Sequence, residues 1–406
     1  MSKEIIIIGG GQTAANASKT IKDSDKSYNL SIFSNEDYLP YERPPLSKQL
    51  LTSEKKIDDC LFYKEEFYNE NNINFLPNTE VEKIDFKEKL IFTGDKNYSY
   101  NKLLIASGSK NRILNIEGLN QNEIFYLRNI DECKKIIDKV KKIKNILIVG
   151  GGFIGLEIAS SMSKLEKNIT LVESSAQLMG RIIPEEISRL VYEKHSQSGV
   201  KIFLNTSLKS ARKKDQQYQI NLSNNEKIEV DIIIVGIGAL PNTDFLNSSD
   251  INIDNGVVTN EYCETSRDNV YAAGDVSNFF HPIYNSYMRL ESWKHAQDHG
   301  INAGKNIINQ KKNYEEIPWM WSDQYDLNLQ LTGICNDYDQ KVSRGNNLDE
   351  GIIFFFIKKN IIMGACGVSK GPKIGKDIRI SGIKIKNQEI IDINKIIDKN
   401  IKLQKI

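Results

Sequence analysis

The sequence predicts an α/β protein with two dinucleotide-binding domains and a smaller C-terminal α+β interface domain, and three observations carry that expectation. The first is Ile146 to Glu157, ILIVGGGFIGLE, an aliphatic run that enters a glycine turn and continues as a helix pattern. The second is Ile5 to Ala14, IIIIGGGQTA, which repeats the motif earlier in the chain. The third is apolar alternation at Asn328 to Ile334 and Ile352 to Ile357, which reads as a small sheet after residue 319. In each glycine corner the first glycine, Gly9 or Gly150, allows the tight turn. The second, Gly11 or Gly152, lets the backbone approach a pyrophosphate, and the third position, Ala14 or Gly155, lets helix and strand pack closely. One such turn is a weak signal. A tandem pair, each after an aliphatic strand, predicts two nucleotides in one protein.

The 406 residues allow two or three domains with cores of their own, and a formal net charge of +1 points to no polyanionic partner, which argues against nucleic acid. No membrane span is expected: the apolar run Ile5 to Ile8 is too short for a signal peptide and ends in glycines, so the expected location is cytoplasmic. Cys60, Cys133, Cys263, Cys335 and Cys366 form no CxxC pair, which predicts buried free thiols rather than a dithiol relay or zinc ribbon. His295 and His299 share a helix face at i, i+4 but lack the carboxylate of an HExxH motif, so no metal site is expected.

In chain order, the first corner predicts a helix from Gln12 to about Lys22 and a strand from Asn29 to Phe33. That strand ends near Asn35 and Glu36, where a ribose is gripped in this architecture; the sequence leaves open which of the two does it. Pro44 and Pro45 predict a rigid extended segment before a helix start, which aims Lys48 at a fixed point. A helix near Tyr63 to Asn69 and strands at Asn74 to Leu76, Glu80 to Asp85 and Lys89 to Phe92 follow. After the second corner, the strand Asn168 to Glu173 places Glu173 18 residues past Gly155. A carboxylate there accepts both ribose hydroxyls of NADH and repels a 2′-phosphate by roughly 4 kcal/mol per unit charge pair at about 4 Å and an effective dielectric near 20, before screening. NADH is therefore expected over NADPH. Val230 to Asn242, VDIIIVGIGALPN, is another buried strand entering a glycine turn, and Asn269 to Val276, NVYAAGDV, ends in the carboxylate of Asp275.

The motifs PYERPPLSK, LLIASGS, GGGFIGLE, GIGALPNT, YAAGDV, RLESW and WMWSDQYDL occur in that order along nearly the whole chain. The sequence thereby resembles the FAD-containing ferredoxin reductases that serve bacterial oxygenases, relatives of putidaredoxin reductase and of apoptosis-inducing factor. The resemblance implies two Rossmann-like domains: an FAD domain from 1 to 112 and 242 to 318, and an NAD domain from 113 to 241, followed by the interface domain from 319 to 406. It implies FAD on Gly9, Gly11, Ala14, Asn35 or Glu36, Arg43, Lys48, the backbone of Val81, Ala106 and Gly108, with Ser107 standing where the family has threonine. It adds Arg128, Gly274, Asp275, Trp293 and Trp321 around the flavin, and places NADH on Gly150, Gly152, Ile154, Gly155, Glu173, Arg181, Gly236 and Gly238. Lys48 and Glu157 are expected to form the charge pair of the catalytic site.

The implied activity is electron transfer from NADH through FAD to a [2Fe–2S] or Rieske-type ferredoxin that feeds an oxygenase, in a monomer or homodimer. The alternatives are an NADH oxidase, which in this superfamily needs a cysteine near residue 42 where this chain has none, and a redox-sensing flavoprotein of the apoptosis-inducing-factor type. Lys358, Lys359, Lys370, Lys373, Lys376 and Arg379 are expected to offer a basic docking face to an acidic ferredoxin.

Overall fold

The computed structural model describes residues 4–180, 182–246 and 250–406. The chain divides into two compact units. One comprises the residues up to Arg43, Asp58–Lys110 and Leu240–Glu316; the other comprises Pro44–Ile57, Asn111–Ala239 and Ile317–Ile406.

The first unit is built on a five-stranded parallel sheet in the order Val270–Ala272, Lys102–Ile105, Glu4–Ile8, Asn29–Phe33, Ile73–Leu76. The central strand is the isoleucine run, and the strict alternation of side chains explains why it is apolar at every position. Ile5 and Ile7 enter one core with Ala14, Ala17, Ile21, Ala303 and Ile307 from two helices, whereas Ile6 and Ile8 enter the opposite core with Phe33, Ile84, Ile91 and Val257. The two helices, Gln12–Ser24 and Trp293–Ile307, approach very closely. A β-carbon on Gly300 would stand 2.6 Å from the Thr13 carbonyl oxygen, and one on Gly304 2.9 Å from that of Ala17. Two three-stranded sheets, Lys83–Asp85 with Leu90–Thr93 and Lys96–Ser99, and Val257–Thr259 with Ser277–His281 and Ser286–Met288, complete this unit.

The second unit repeats the plan around the strand Asn145–Val149. Its parallel sheet runs Lys201–Phe203, Asn168–Val172, Asn145–Val149, Ile232–Val235, Phe125–Tyr126. The same unit carries the antiparallel sheet Leu208–Lys214, Gln217–Leu222, Lys227–Val230 and, from the C-terminal part, a five-stranded antiparallel sheet in the order Trp319–Gln324, Leu327–Gly333, Ile361–Lys370, Ile352–Lys358, Gln340–Arg344. The helix Gly375–Lys386 packs on that last sheet.

Two local expectations need correction. The helix start expected after the prolines begins at Pro44 itself, so that Pro44–Ser47 is a 3₁₀ turn and not an extended lead-in, because the fixed φ of proline suits the first turn of a helix as well as an extended strand. All five cysteines are free, but Cys335 is only partly buried. Among the described residues no helix is long and apolar enough to cross a membrane.

Candidate functional site

Both glycine corners have the geometry that a pyrophosphate needs. Gly9 has φ +110°, and a β-carbon there would lie 2.2 Å from the Ala106 carbonyl oxygen; Gly150 has φ +108°, and its β-carbon would lie 2.4 Å from the Gly236 carbonyl oxygen. Gly11 and Gly152 are different: a β-carbon on either meets nothing within 4 Å, so the backbone at each borders open space. Gly11 and Gly152 are also the N-caps of Gln12–Ser24 and Phe153–Lys164, and neither helix has a side-chain cap or an acidic residue in its first turn. Their leading N–H groups are therefore available to an anion, and the residues present fit a dinucleotide at each corner.

In the first unit, Ala14 is fully buried in the first turn of the helix Gln12–Ser24, and Glu36 rather than the exposed Asn35 is engaged after the second strand. Glu36 accepts hydrogen bonds from the Tyr41 hydroxyl and from Arg43 Nη2, both at 2.6 Å, while Arg43 Nη1 donates to the Tyr41 oxygen at 3.2 Å. Burial works against the Arg43 charge, but Tyr41, Glu36 and Asp275 outweigh it and hold the guanidinium pKa above its ordinary value. Val81 is buried beside the sheet, Ser107 Oγ donates to the Asn242 carbonyl at 2.8 Å, and the Asn242 N–H donates to the Gly108 carbonyl at 3.0 Å. Asp275 Oδ2 accepts from Ser109 Oγ at 3.0 Å, and the preceding Gly274 takes φ +78° where a β-carbon would stand 2.3 Å from Thr13 Oγ1. Trp293 opens its helix behind the Ser292 cap, and its carbonyl accepts from Gln12 Nε2 at 2.9 Å.

His295 and His299 are buried in an aromatic cluster with Phe279 and Tyr314. His299 Nδ1 accepts the Gly274 N–H at 3.1 Å, and His295 Nδ1 lies 2.9 Å from the Tyr314 hydroxyl. Burial pushes His295 down to about 4 and His299 well below its usual range, so both are neutral near pH 7. Among the described residues no three His, Cys, Asp or Glu side chains are placed to hold a metal.

In the second unit, Glu173 is tied to the glycine turn itself: Oε2 accepts the Gly151 N–H and Oε1 the Ser175 N–H, both at 2.7 Å. A β-carbon on Gly155 would stand 2.1 Å from the Gly150 carbonyl oxygen, the close helix–strand contact that the third glycine permits. Ile154 is 45% exposed although large and apolar, Gly236 and Gly238 follow the strand Ile232–Val235, and Gly238 has φ +103°. Arg181 lies outside the described residues. Arg128 is half-buried, its backbone N–H donating to Glu132 Oε2 at 2.6 Å just before the Asn129 capping box.

The same unit brings Lys48 and Glu157 together. Lys48 Nζ lies 2.6 Å from Glu157 Oε2, with side-chain exposures of 15% and 4%. Two hydroxyls not anticipated from the sequence complete the carboxylate: Ser47 Oγ donates to Oε2 at 2.5 Å and Ser322 Oγ donates to Oε1 at 2.6 Å. Ser322 lies within the WMWSDQYDL motif, one residue after Trp321, and its inward face is the alternate position of a strand. Trp321 stacks on Trp319 with ring centroids 5.2 Å apart and donates from Nε1 to Asp323 Oδ2 at 3.1 Å. The expected basic face is mixed in sign. Lys358 pairs with Asp337 at 2.6 Å, Lys370 pairs with Asp349 at 3.0 Å, and Lys373 donates to the Asp349 carbonyl at 2.6 Å.

Residues 3–300 match the family model described as pyridine nucleotide-disulphide oxidoreductase, and residues 319–406 match the one described as reductase C-terminal. The chain is 32% identical over 345 residues to a rubredoxin-NAD(+) reductase of Ectopseudomonas oleovorans, covering 84% of this chain and 90% of the relative. It is 31% identical over 375 residues to the ferredoxin--NAD(+) reductase component of a 3-phenylpropionate/cinnamic acid dioxygenase from Photorhabdus laumondii, covering 92% and 94%. In fold it is similar to a crystal structure of a ferredoxin reductase from Rhodopseudomonas palustris, with a TM-score of 0.94, 24% identity and coverage of 100% and 99%. The two glycine corners, the reductase C-terminal sheet and these relatives together show that the chain belongs to the pyridine nucleotide-disulphide oxidoreductase family.

Proposed function

We infer that the protein is an FAD-dependent NADH:ferredoxin oxidoreductase whose acceptor is a [2Fe–2S] or Rieske-type ferredoxin of an oxygenase system. The observation that carries this reading is the pair of uncapped glycine corners, Gly9–Gly11 and Gly150–Gly152, each open where a pyrophosphate binds. The similar chains from Ectopseudomonas oleovorans and Photorhabdus laumondii are named for the transfer of electrons between a nicotinamide nucleotide and a rubredoxin or ferredoxin. When bound, FAD supplies the chemistry that accepts an electron pair and releases electrons singly.

The residues of the chain supply position and charge. The helix start at Gly11 and the Gly9 turn would hold the FAD pyrophosphate, and Glu36, fixed by Tyr41 and Arg43, would take the adenosine ribose. Asp275, oriented by Ser109, would bind the ribityl chain. The Gly150–Gly155 corner and Glu173 would hold NADH, with the Glu173 carboxylate, seated on the Gly151 N–H, offered to the ribose hydroxyls. Lys48, held by Glu157, would offer a fixed ammonium to a bound flavin, the role that the family resemblance implies for Lys48 and, beside the ring, for Trp321. With no CxxC in the chain to take an electron pair, the acceptor is external. The five free thiols accord with a reducing compartment, and we place the protein in the cytoplasm.

The test is purified, flavin-loaded protein given NADH and a bacterial [2Fe–2S] ferredoxin. Ferredoxin reduction should outpace oxygen consumption by at least about tenfold, a difference of roughly 1.4 kcal/mol in barrier. Oxygen consumption that dominates with the ferredoxin present would overturn the reading.

A further inference from the structure

The Glu157 carboxylate ends a longer line of buried polar groups. Gln324 Nε2 donates to Ser322 Oγ at 3.1 Å, His195 Nε2 faces Gln324 Oε1 at 2.9 Å, and His195 Nδ1 faces the Tyr325 hydroxyl at 3.5 Å. That hydroxyl lies 3.0 Å from Ser163 Oγ. Ser322 and His195 are fully buried and Gln324 is 2% exposed, so water cannot substitute for a missing partner.

Proton counting gives the line one direction. Ser322 has a single hydroxyl proton and gives it to Glu157, so its oxygen must accept, and Gln324 must turn its NH₂ toward it. The Gln324 carbonyl oxygen then faces His195, which must carry its proton on Nε2 and accept at Nδ1. Each group donates toward Glu157. If His195 gave no proton, the Gln324 amide could rotate, present its oxygen to Ser322 and draw the Ser322 proton away from the carboxylate.

We propose that His195 is a positioning residue for the Lys48–Glu157 pair, acting through Gln324 and Ser322 to keep the Glu157 carboxylate, and with it the Lys48 ammonium, in one orientation. This rests on the reading above that the pair works at the flavin. A histidine that merely fills the core would hold the helix Glu185–Gln197 in place and would be indifferent to its tautomer.

The experiment has two arms. The chain has four histidines, so ¹⁵N-histidine labelling of the flavin-loaded protein gives few signals, and His195→Gln identifies the one that belongs to His195. The line requires the Nε2–H tautomer at pH 7; an Nδ1–H tautomer overturns the proposal. In the second arm, stopped-flow flavin bleaching by saturating NADH should slow about tenfold in His195→Phe with NADH affinity unchanged within about twofold. His195→Gln, which retains an N–H donor, should recover the rate to within about threefold. Ser322→Ala should slow bleaching as much as His195→Phe, and the double variant no further, since both break one line. If His195→Phe does not fold, Ser322→Ala set against His195→Gln carries the comparison, and an unchanged rate in Ser322→Ala overturns the proposal. Lys48→Met separates the two layers. If it is slow while His195→Phe is not, the pair stands and the positioning line falls; if Lys48→Met bleaches at the normal rate, both fall.

Discussion

The two glycine corners have nearly the same backbone, with φ +110° at Gly9 and +108° at Gly150, but they wire their carboxylates differently. The Glu36 carboxylate is held by the side chains of Tyr41 and Arg43. Glu173 instead occupies the Gly151 N–H of its own turn. A carboxylate braced by neighbouring side chains is fixed before a ligand arrives, whereas one resting on the loop shares its acceptor sites between the loop N–H and a ligand. On the proposed reading, the first corner would hold the resident nucleotide and the second the one in transit.

The largest effect should come from striking both turns in the same way. Gly9→Ala and Gly150→Ala each force a β-carbon against a carbonyl oxygen at positive φ, a cost on the order of 3 kcal/mol. Gly9→Ala should purify without flavin. Gly150→Ala should purify yellow but fail to bleach with NADH. Loss of flavin from both variants would erase the distinction between resident and transient sites.

Acid should also separate the units. Three of the four histidines, His281, His295 and His299, lie in the first unit, and burial lowers all three pKa values. A group with a folded pKa below its unfolded one gives full stability above the unfolded value, near 6.5, and loses it as pH falls toward the folded value. For His295, with a folded value of about 4, a gap of about 2.5 pH units is worth on the order of 3 kcal/mol by pH 4. His195 alone acts similarly in the second unit. Flavin fluorescence should therefore appear between pH 6.5 and 4 before the second unit's circular dichroism changes; simultaneous loss would contradict the prediction.

Why the corners were legible in the sequence and the rest was not follows from the range of the interactions. The runs IIIIGGG and ILIVGGG are local: a strand buried on both faces must be apolar throughout, and a left-handed turn against a carbonyl must be glycine. Residues at those positions reveal their environment. The Glu157 surroundings are assembled from Ser47, Ser322 and, behind them, Gln324 and His195, spread over hundreds of positions. A serine or glutamine at alternate positions of a strand looks the same whether it faces water or a carboxylate. The prolines show the opposite failure, since a fixed φ is compatible with both an extended segment and the 3₁₀ turn that forms.

A smaller effect is expected at Glu173. Glu173→Ala should narrow the preference for NADH over NADPH from at least about tenfold to near parity in kcat/KM, about 1.4 kcal/mol, while flavin content stays constant. An unchanged preference would remove Glu173 from the ribose site. Smaller still should be charge reversal at Lys373 and Lys376, a few-fold loss in ferredoxin reduction that fades above about 0.1 M salt, where the Debye length is roughly 10 Å. With Asp337 and Asp349 already beside the neighbouring lysines, the field of this surface is modest.

The most direct measurement follows flavin and iron–sulfur absorbance under anaerobic rapid mixing, first with one equivalent of NADH and then with excess oxidised [2Fe–2S] ferredoxin. Resident FAD at the first corner and transient NADH at the second predict that the flavin bleaches, stays bleached while NAD⁺ leaves, and recovers as ferredoxin is reduced. A flavin that recovers only when oxygen is admitted, with the ferredoxin still oxidised, would contradict the account.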